Sequence, residues 1–213
     1  PLLELYKSTE SLPGIKKIFV GSGIRYDLLL HRFENNKLNQ AAKEYTRKLI
    51  TRHVSGRLKV APEHTEESVL KIMRKPPFQQ FEQFNRIFND VNKENNLKQQ
   101  LIPYFISSHP GCSDIDMAEL AVKTKKMNFQ LDQVQDFTPT PMTMATEIFY
   151  TGLHPYTLEK IYTARTKNEK LNQRQFFFWY KPELRSQIER YLRSIRRNDL
   201  ISKLIINKNK QRF

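Results

Sequence analysis

A single cysteine, Cys112, occurs in the 213 residues of this chain. No internal disulfide framework can form, and thiol usage this sparse suits a reducing cytoplasm. Long apolar runs are missing too: nothing approaches the ~18 residues of a membrane-spanning helix. The opening Pro1-Leu2-Leu3-Glu4-Leu5-Tyr6 lacks a basic region and a small-residue cleavage site, so it does not read as a signal peptide. It reads as the middle of a helix, as expected of a piece cut from a longer chain.

What is present is enough for a substantial core. A hydrophobic content of 38% with 11% aromatics argues against wholesale disorder. The charge is unevenly placed. Residues 154–213 hold 15 Lys and Arg against 5 Asp and Glu, whereas residues 1–153 hold 21 against 17. A nearly neutral body over residues 1–153 is therefore expected to carry a basic, mostly helical extension over 154–213.

Along the body, residues 1–12 read as a helix stopped by Pro13-Gly14. Lys16 to Gly21 reads as a strand, Asn39 to His53 as a helix and Arg57 to Val60 as a second strand. Thr65 is placed to cap a helix carrying Val69, Leu70 and Met73, which Pro76-Pro77 ends. Phe78, Phe81, Phe84, Ile87, Phe88 and Val91 form a Phe-rich helical stripe. Leu101 to Ile106 is a third strand, almost continuously apolar, with Pro103 awkward for a central position. Ser113 and Asp116 have capping-box spacing for a helix through Met127. Val134 to Phe137 is a short fourth strand, and Thr138 to Gly152 a Pro/Thr/Met loop. In the extension, Phe176 to Tyr180 is an apolar block before a helix over Glu183 to Arg196.

Strands alternating with helices predict an α/β fold with parallel strands and right-handed crossovers. In such folds ligands gather at the carboxyl ends of the strands. Three strand ends carry chemistry-bearing residues: Leu58-Lys59-Val60-Ala61-Pro62-Glu63-His64, Tyr104-Phe105-Ile106-Ser107-Ser108-His109-Pro110-Gly111, and Asp136-Phe137-Thr138-Pro139-Thr140-Pro141. Four strands make an open arc, with Lys16 to Gly21 as its free edge. His64 and His109 stand on the same rim without an Asp or Cys at ligand spacing, so no metal site is expected.

Gly21 to Leu28, His53 to His64, Pro103 to Cys112 and Val134 to Pro141, with Phe149 to Gly152 and Phe176 to Pro182 downstream, resemble the second half of a radical SAM core. The match is specifically to the YgiQ family of radical SAM proteins. The resemblance implies a partial (β/α) barrel of which this chain supplies strands three to six, with the appended helical basic region. It implies two cofactors, S-adenosylmethionine and a [4Fe-4S] cluster. Reductive cleavage of the former would generate a 5′-deoxyadenosyl radical that abstracts hydrogen from a substrate not legible here. Three thiolates hold such a cluster, so its ligands are expected upstream of Pro1, and no catalytic residue is expected within this chain.

The resemblance assigns cofactor-binding roles to six residues. Lys59 or Arg25 would hold the S-adenosylmethionine carboxylate, and Glu63 would accept from the ribose hydroxyls. Ile106, Ser107 and Ser108 would lie beside the adenine. The bland alternatives are a rim salt bridge for Lys59 and Glu63, an Arg25–Asp27 pair, and ordinary strand-end polarity. A second reading treats the chain as a non-catalytic α/β module whose basic tail binds RNA or another polyanion. There Arg185, Arg190, Arg193, Arg196 and Arg197 would sit beside the stacking aromatics Phe176 to Tyr180; the plain alternative makes those aromatics core.

Overall fold

The computed structural model describes residues 2–131 and 134–205. Helices α1 (Leu2–Glu10), α2 (Tyr26–Leu30) and α3 (Asn36–Arg52) precede strand β1 (Arg57–Glu63). Helices α4 (Glu67–Ile72) and α5 (Phe78–Glu94) lead to β2 (Gln100–Ser107), and α6 (Asp114–Lys126) leads to β3 (Val134–Asp136). Then follow α7 (Met144–Thr151), α8 (Lys167–Arg174), 3-10 turns over Gln175–Phe178 and Pro182–Leu184, α9 (Arg185–Ser194) and α10 (Asn198–Leu204). The strands form an open, parallel, three-stranded sheet in the order β1-β2-β3, with Phe105 opposite Val134 and Ser107 opposite Asp136.

The chain divides into two compact units that interleave along the sequence. Residues 1–62 and 76–103 form the first, and residues 63–75 and 104–213 the second. Two of the three breaks fall within β1 and β2, and the basic helices build their core together with α6. Phe176, Phe177, Ile188, Leu192 and Leu200 are buried in the same unit as Met117, Leu120 and Ala121.

In the first unit the Phe stripe behaves as its spacing demands. Phe78, Phe81, Phe84, Phe88 and Val91 all point inward from α5, and Tyr26 of α2 stacks on Phe84 with ring centroids 5.9 Å apart. Each fully buried aromatic of this kind stabilises the unit by roughly 1.5–3 kcal/mol. β1 alternates cleanly, burying Leu58, Val60 and Pro62 and exposing Arg57, Lys59 and Ala61.

Three sequence expectations are corrected. An arc of four strands does not form, since the described residues contain three, and Lys16 to Gly21 is not a strand. Its backbone groups find partners at the end of α3 instead: Val20 N–H donates to the His53 carbonyl at 2.9 Å, and the His53 ring meets the Ile18 carbonyl at 3.0 Å. Just beyond it, Ile24 makes an isolated parallel bridge to Val60. The loop expected over Thr138 to Gly152 contains α7, whose ends are set by the Thr143 side chain accepting from the Thr146 amide and by Gly152 at φ 73°. Thr65 does not cap α4. Its hydroxyl donates to the Glu66 carboxylate at 2.9 Å, and the imidazole of His64 accepts the Glu66 amide instead.

Two other expectations hold with a stated cause. Ser113 and Asp116 form the capping box that opens α6. Pro103 lies inside β2. Phe137 N–H donates to the Ser107 carbonyl, so by the two-residue period Phe105 and Pro103 also aim their backbone groups toward β3. That register is described from Phe105 onward, two residues beyond Pro103.

Candidate functional site

Parallel strands bring their carboxyl ends to one rim, and here two of those ends carry unusual backbone. Glu63, the last residue of β1, has φ 66°, and Ser108, just past β2, has φ 61°. Left-handed backbone at a residue other than glycine costs on the order of 1–2 kcal/mol and persists where surrounding contacts hold it.

The second unit supplies those contacts. Glu63 accepts from Lys75 Nζ at 2.9 Å. Ser107 Oγ donates to Asp136 Oδ1 at 2.5 Å, and Arg174 Nη1 donates to Asp136 Oδ2 at 2.9 Å. The Ser108 amide donates to Gln173 Oε1 at 2.7 Å, while Gln173 Nε2 donates to the Cys112 carbonyl at 2.7 Å. Ser108 itself is fully buried, and its hydroxyl has no hydrogen-bond partner among the described residues. A buried unpaired hydroxyl is costly, roughly 1–3 kcal/mol, and it marks the polar capacity this rim leaves unused. Ile106 is half-buried beside these two serines.

Behind the rim, His64 and Cys112 form a buried pair with 3.4 Å between Nε2 and Sγ. The resemblance to a nucleophile and its base is superficial. Nδ1 of His64 accepts the Glu66 amide at 3.0 Å, which leaves the ring proton on Nε2, facing the sulfur. Burial, with His109 and Lys123 nearby, lowers His64 to about 3. Burial, reinforced by Asp116, raises the Cys112 thiol well above its ordinary value. Both groups are therefore neutral at physiological pH, and the pair is packing. His109 is also lowered by burial and meets the ring of Phe137 edge-on at 5.0 Å. Among the described residues no three His, Cys, Asp or Glu side chains gather as a metal site, and no helix is long and apolar enough to cross a membrane.

Arg25 and Lys59 belong to the first unit. Arg25 is engaged by Asp27 through two hydrogen bonds of 2.8 and 2.6 Å, the pairing its bland reading supposed. Asp27 is correspondingly held below the usual carboxylate range. Lys59 is exposed on β1 and has no ion pair among the described residues. Arg25 also lines an apolar groove of about 750 Å³ with Leu2, Leu28, Leu29, Phe33 and Leu38.

In the basic extension Phe176 and Phe177 are fully buried, so they are core. Arg197 is bound by Glu119 and Asp199, and Arg193 by Glu189. Arg185, Arg190 and Arg196 are exposed. The residues that sequence reasoning missed are Gln173, Arg174 and Asp136. Asp136 stands at a strand end to which the sequence assigns no role, and nothing local marks Gln173 for burial.

Comparison with known proteins places these observations in a family context. Residues 132–209 match the model of a domain of unknown function (DUF3362). A UPF0313 protein of Bacteroides thetaiotaomicron is 64% identical over 99% of this chain, which covers 34% of that relative. One from Porphyromonas gingivalis is 60% identical over 96% of the chain and 32% of the relative. One from the archaeon Methanosarcina acetivorans is 40% identical over 99% of the chain and 28% of the relative. The chain thus spans about a third of the length of the curated relatives it matches. No solved structure matches it. Its homologues are UPF0313 proteins, and its C-terminal part carries the DUF3362 domain.

Proposed function

We propose that this chain is part of a YgiQ-like radical SAM enzyme and supplies strand ends of its partial (β/α) barrel that bind S-adenosylmethionine. UPF0313 designates the YgiQ family, in keeping with the blocks Gly21 to Leu28, His53 to His64, Pro103 to Cys112 and Val134 to Pro141. The observation that carries the reading is the pair of left-handed strand ends, Glu63 and Ser108. Strained backbone of this kind concentrates at ligand sites. Ser108 adds a buried hydroxyl that has no partner among the described residues.

The residues suit the cofactor unequally. In the first unit, Lys59 offers an exposed ammonium to the carboxylate of S-adenosylmethionine. Arg25 would have to leave Asp27 to do the same. In the second unit, Glu63 keeps a carboxylate oxygen beyond its bond to Lys75 for ribose hydroxyls. Of the three residues expected beside adenine, Ile106 is half-buried and reaches the surface, while Ser107 and Ser108 are fully buried. S-adenosylmethionine, on reductive cleavage, supplies the group that takes hydrogen from a substrate. The [4Fe-4S] cluster does not fit these residues: Cys112 is one thiol where three are needed, and it is buried and protonated. Any cluster ligands belong to sequence outside these 213 residues.

Anaerobic reconstitution of the full-length protein with iron and sulfide, followed by addition of a one-electron reductant, tests the reading. Conversion of S-adenosylmethionine to methionine and 5′-deoxyadenosine is the expected result. A fully loaded protein that leaves it intact contradicts the proposal. The alternative, a non-catalytic module whose basic extension binds RNA, draws on the exposed Arg185, Arg190 and Arg196. It requires RNA binding by this chain that weakens steeply with salt, and absent or salt-insensitive binding rejects it.

A further inference from the structure

The structure assigns a role to the DUF3362 region: its helix α8 latches the strand-end turn, with Gln173 and Arg174 as positioning residues. The inference rests on the S-adenosylmethionine reading of this rim. Helix α8 is opened by a capping box in which Thr166 and Glu169 exchange hydrogen bonds, and apart from the exposed Leu171 it is polar. Gln173 is the one residue of α8 that is buried, and it is completely so. A primary amide enters a protein interior only when its hydrogen bonds are made.

Both ends of that amide are used on one turn. Oε1 takes the Ser108 N–H and Nε2 gives to the Cys112 carbonyl, each at 2.7 Å. The Ser107 carbonyl accepts from Phe137 on the β3 side, and the trans peptide turns the Ser108 N–H to the opposite side, where β3 cannot serve it. The side chain of Gln173 meets it there, satisfying two backbone groups at fully buried residues. The next residue along the helix, Arg174, acts one position earlier on the strand. Its guanidinium holds Asp136, and Asp136 accepts from Ser107. Consecutive helix residues thus fix consecutive strand-end serines.

A third contact comes from the same region. Gly111 N–H donates to the Tyr162 carbonyl at 2.8 Å. Gly111 has φ 84°, and a Cβ there would lie 2.2 Å from Ile72 Cδ1, so the turn closes at a glycine. Tyr162, Gln173 and Arg174 all lie within residues 132–209. This region is therefore built into the strand end from which Ser107 and Ser108 project.

The test uses the reconstituted full-length protein. In Gln173→Ala, hydrogen exchange of the peptide covering residues 108–112 should accelerate at least about tenfold, the scale of one lost hydrogen bond. The KM for S-adenosylmethionine in reductive cleavage should rise about tenfold, with kcat changed less than about twofold. Arg174 is 37% exposed, so Arg174→Gln folds even if Gln173→Ala does not, and it should raise the same KM severalfold. Glu183→Gln, at an exposed residue of the same region, should change neither readout. Unaltered exchange at residues 108–112, or an unaltered KM, in a wild-type background that cleaves S-adenosylmethionine overturns the latch alone. A wild-type protein that does not cleave it overturns the reading beneath, whatever the exchange shows.

Discussion

Replacing Phe176 or Phe177 with alanine should destabilise the second unit by about 3–5 kcal/mol, the usual cost of deleting a large aromatic from a closed core. Both rings are completely buried on the 3-10 turn Gln175–Phe178, and Phe176 packs 6.1 Å from the ring of Tyr191 on α9. A loss of this size is a large part of the stability of an ordinary domain. Denaturant unfolding should show an early transition in either variant, while Arg190→Ala stays within about 0.5 kcal/mol of wild type. The comparison also decides what the aromatic block is for. An alanine variant that kept full stability and lost RNA binding would turn these rings outward, against the packing described.

The second large effect is an acid sensitivity centred on His64. Its pKa lies at about 3, below the ordinary 6.5, because burial disfavours the imidazolium and His109 and Lys123 add repulsion. On acidification the unfolded chain takes up this proton below about pH 6.5, and the native chain does so only near pH 3. Between those values the unfolded state holds more protons, so stability falls as pH falls, by at most about 1.4 kcal/mol per pH unit for one proton. Above the window both states carry the same neutral ring and the contribution is flat. His109 is shifted in the same direction by burial. His64→Asn, which can still accept the Glu66 amide, should therefore reduce the slope of stability against pH without abolishing it. An identical slope in the variant would place the titration elsewhere.

How much of this was readable in the sequence depends on how local each determinant is. The Phe stripe of α5, the Ser113–Asp116 box and the alternation in β1 are set by neighbours within a few residues, and they appear as their spacing implies. Helix α7 was equally local: Thr143 and Gly152 bracket it, but the prolines and threonines before it read as a loop. Lys16 to Gly21 had the composition of a strand and lacked the partner. Its donors and acceptors go to His53, thirty-odd residues on, which no window along the chain reveals.

The candidate site divides in the same way. Its strand-end residues were legible because parallel strands must gather their carboxyl ends. What holds them was not. Gln173 looks like one more polar residue on a polar helix, and Arg174 like part of a basic face. Their partners Ser108 and Asp136 lie 65 and 38 residues away. Arg25 shows the reverse: its partner Asp27 is two residues distant, and the pairing was readable as the simpler alternative.

Hydrogen exchange of the reconstituted full-length protein, followed with and without S-adenosylmethionine, bears most directly on the central claim. Protection should appear at the backbone of residues 61–65 and 106–112, where Glu63 and Ser108 adopt left-handed conformations. Binding that leaves both stretches unprotected, or that protects only the basic extension, would contradict it.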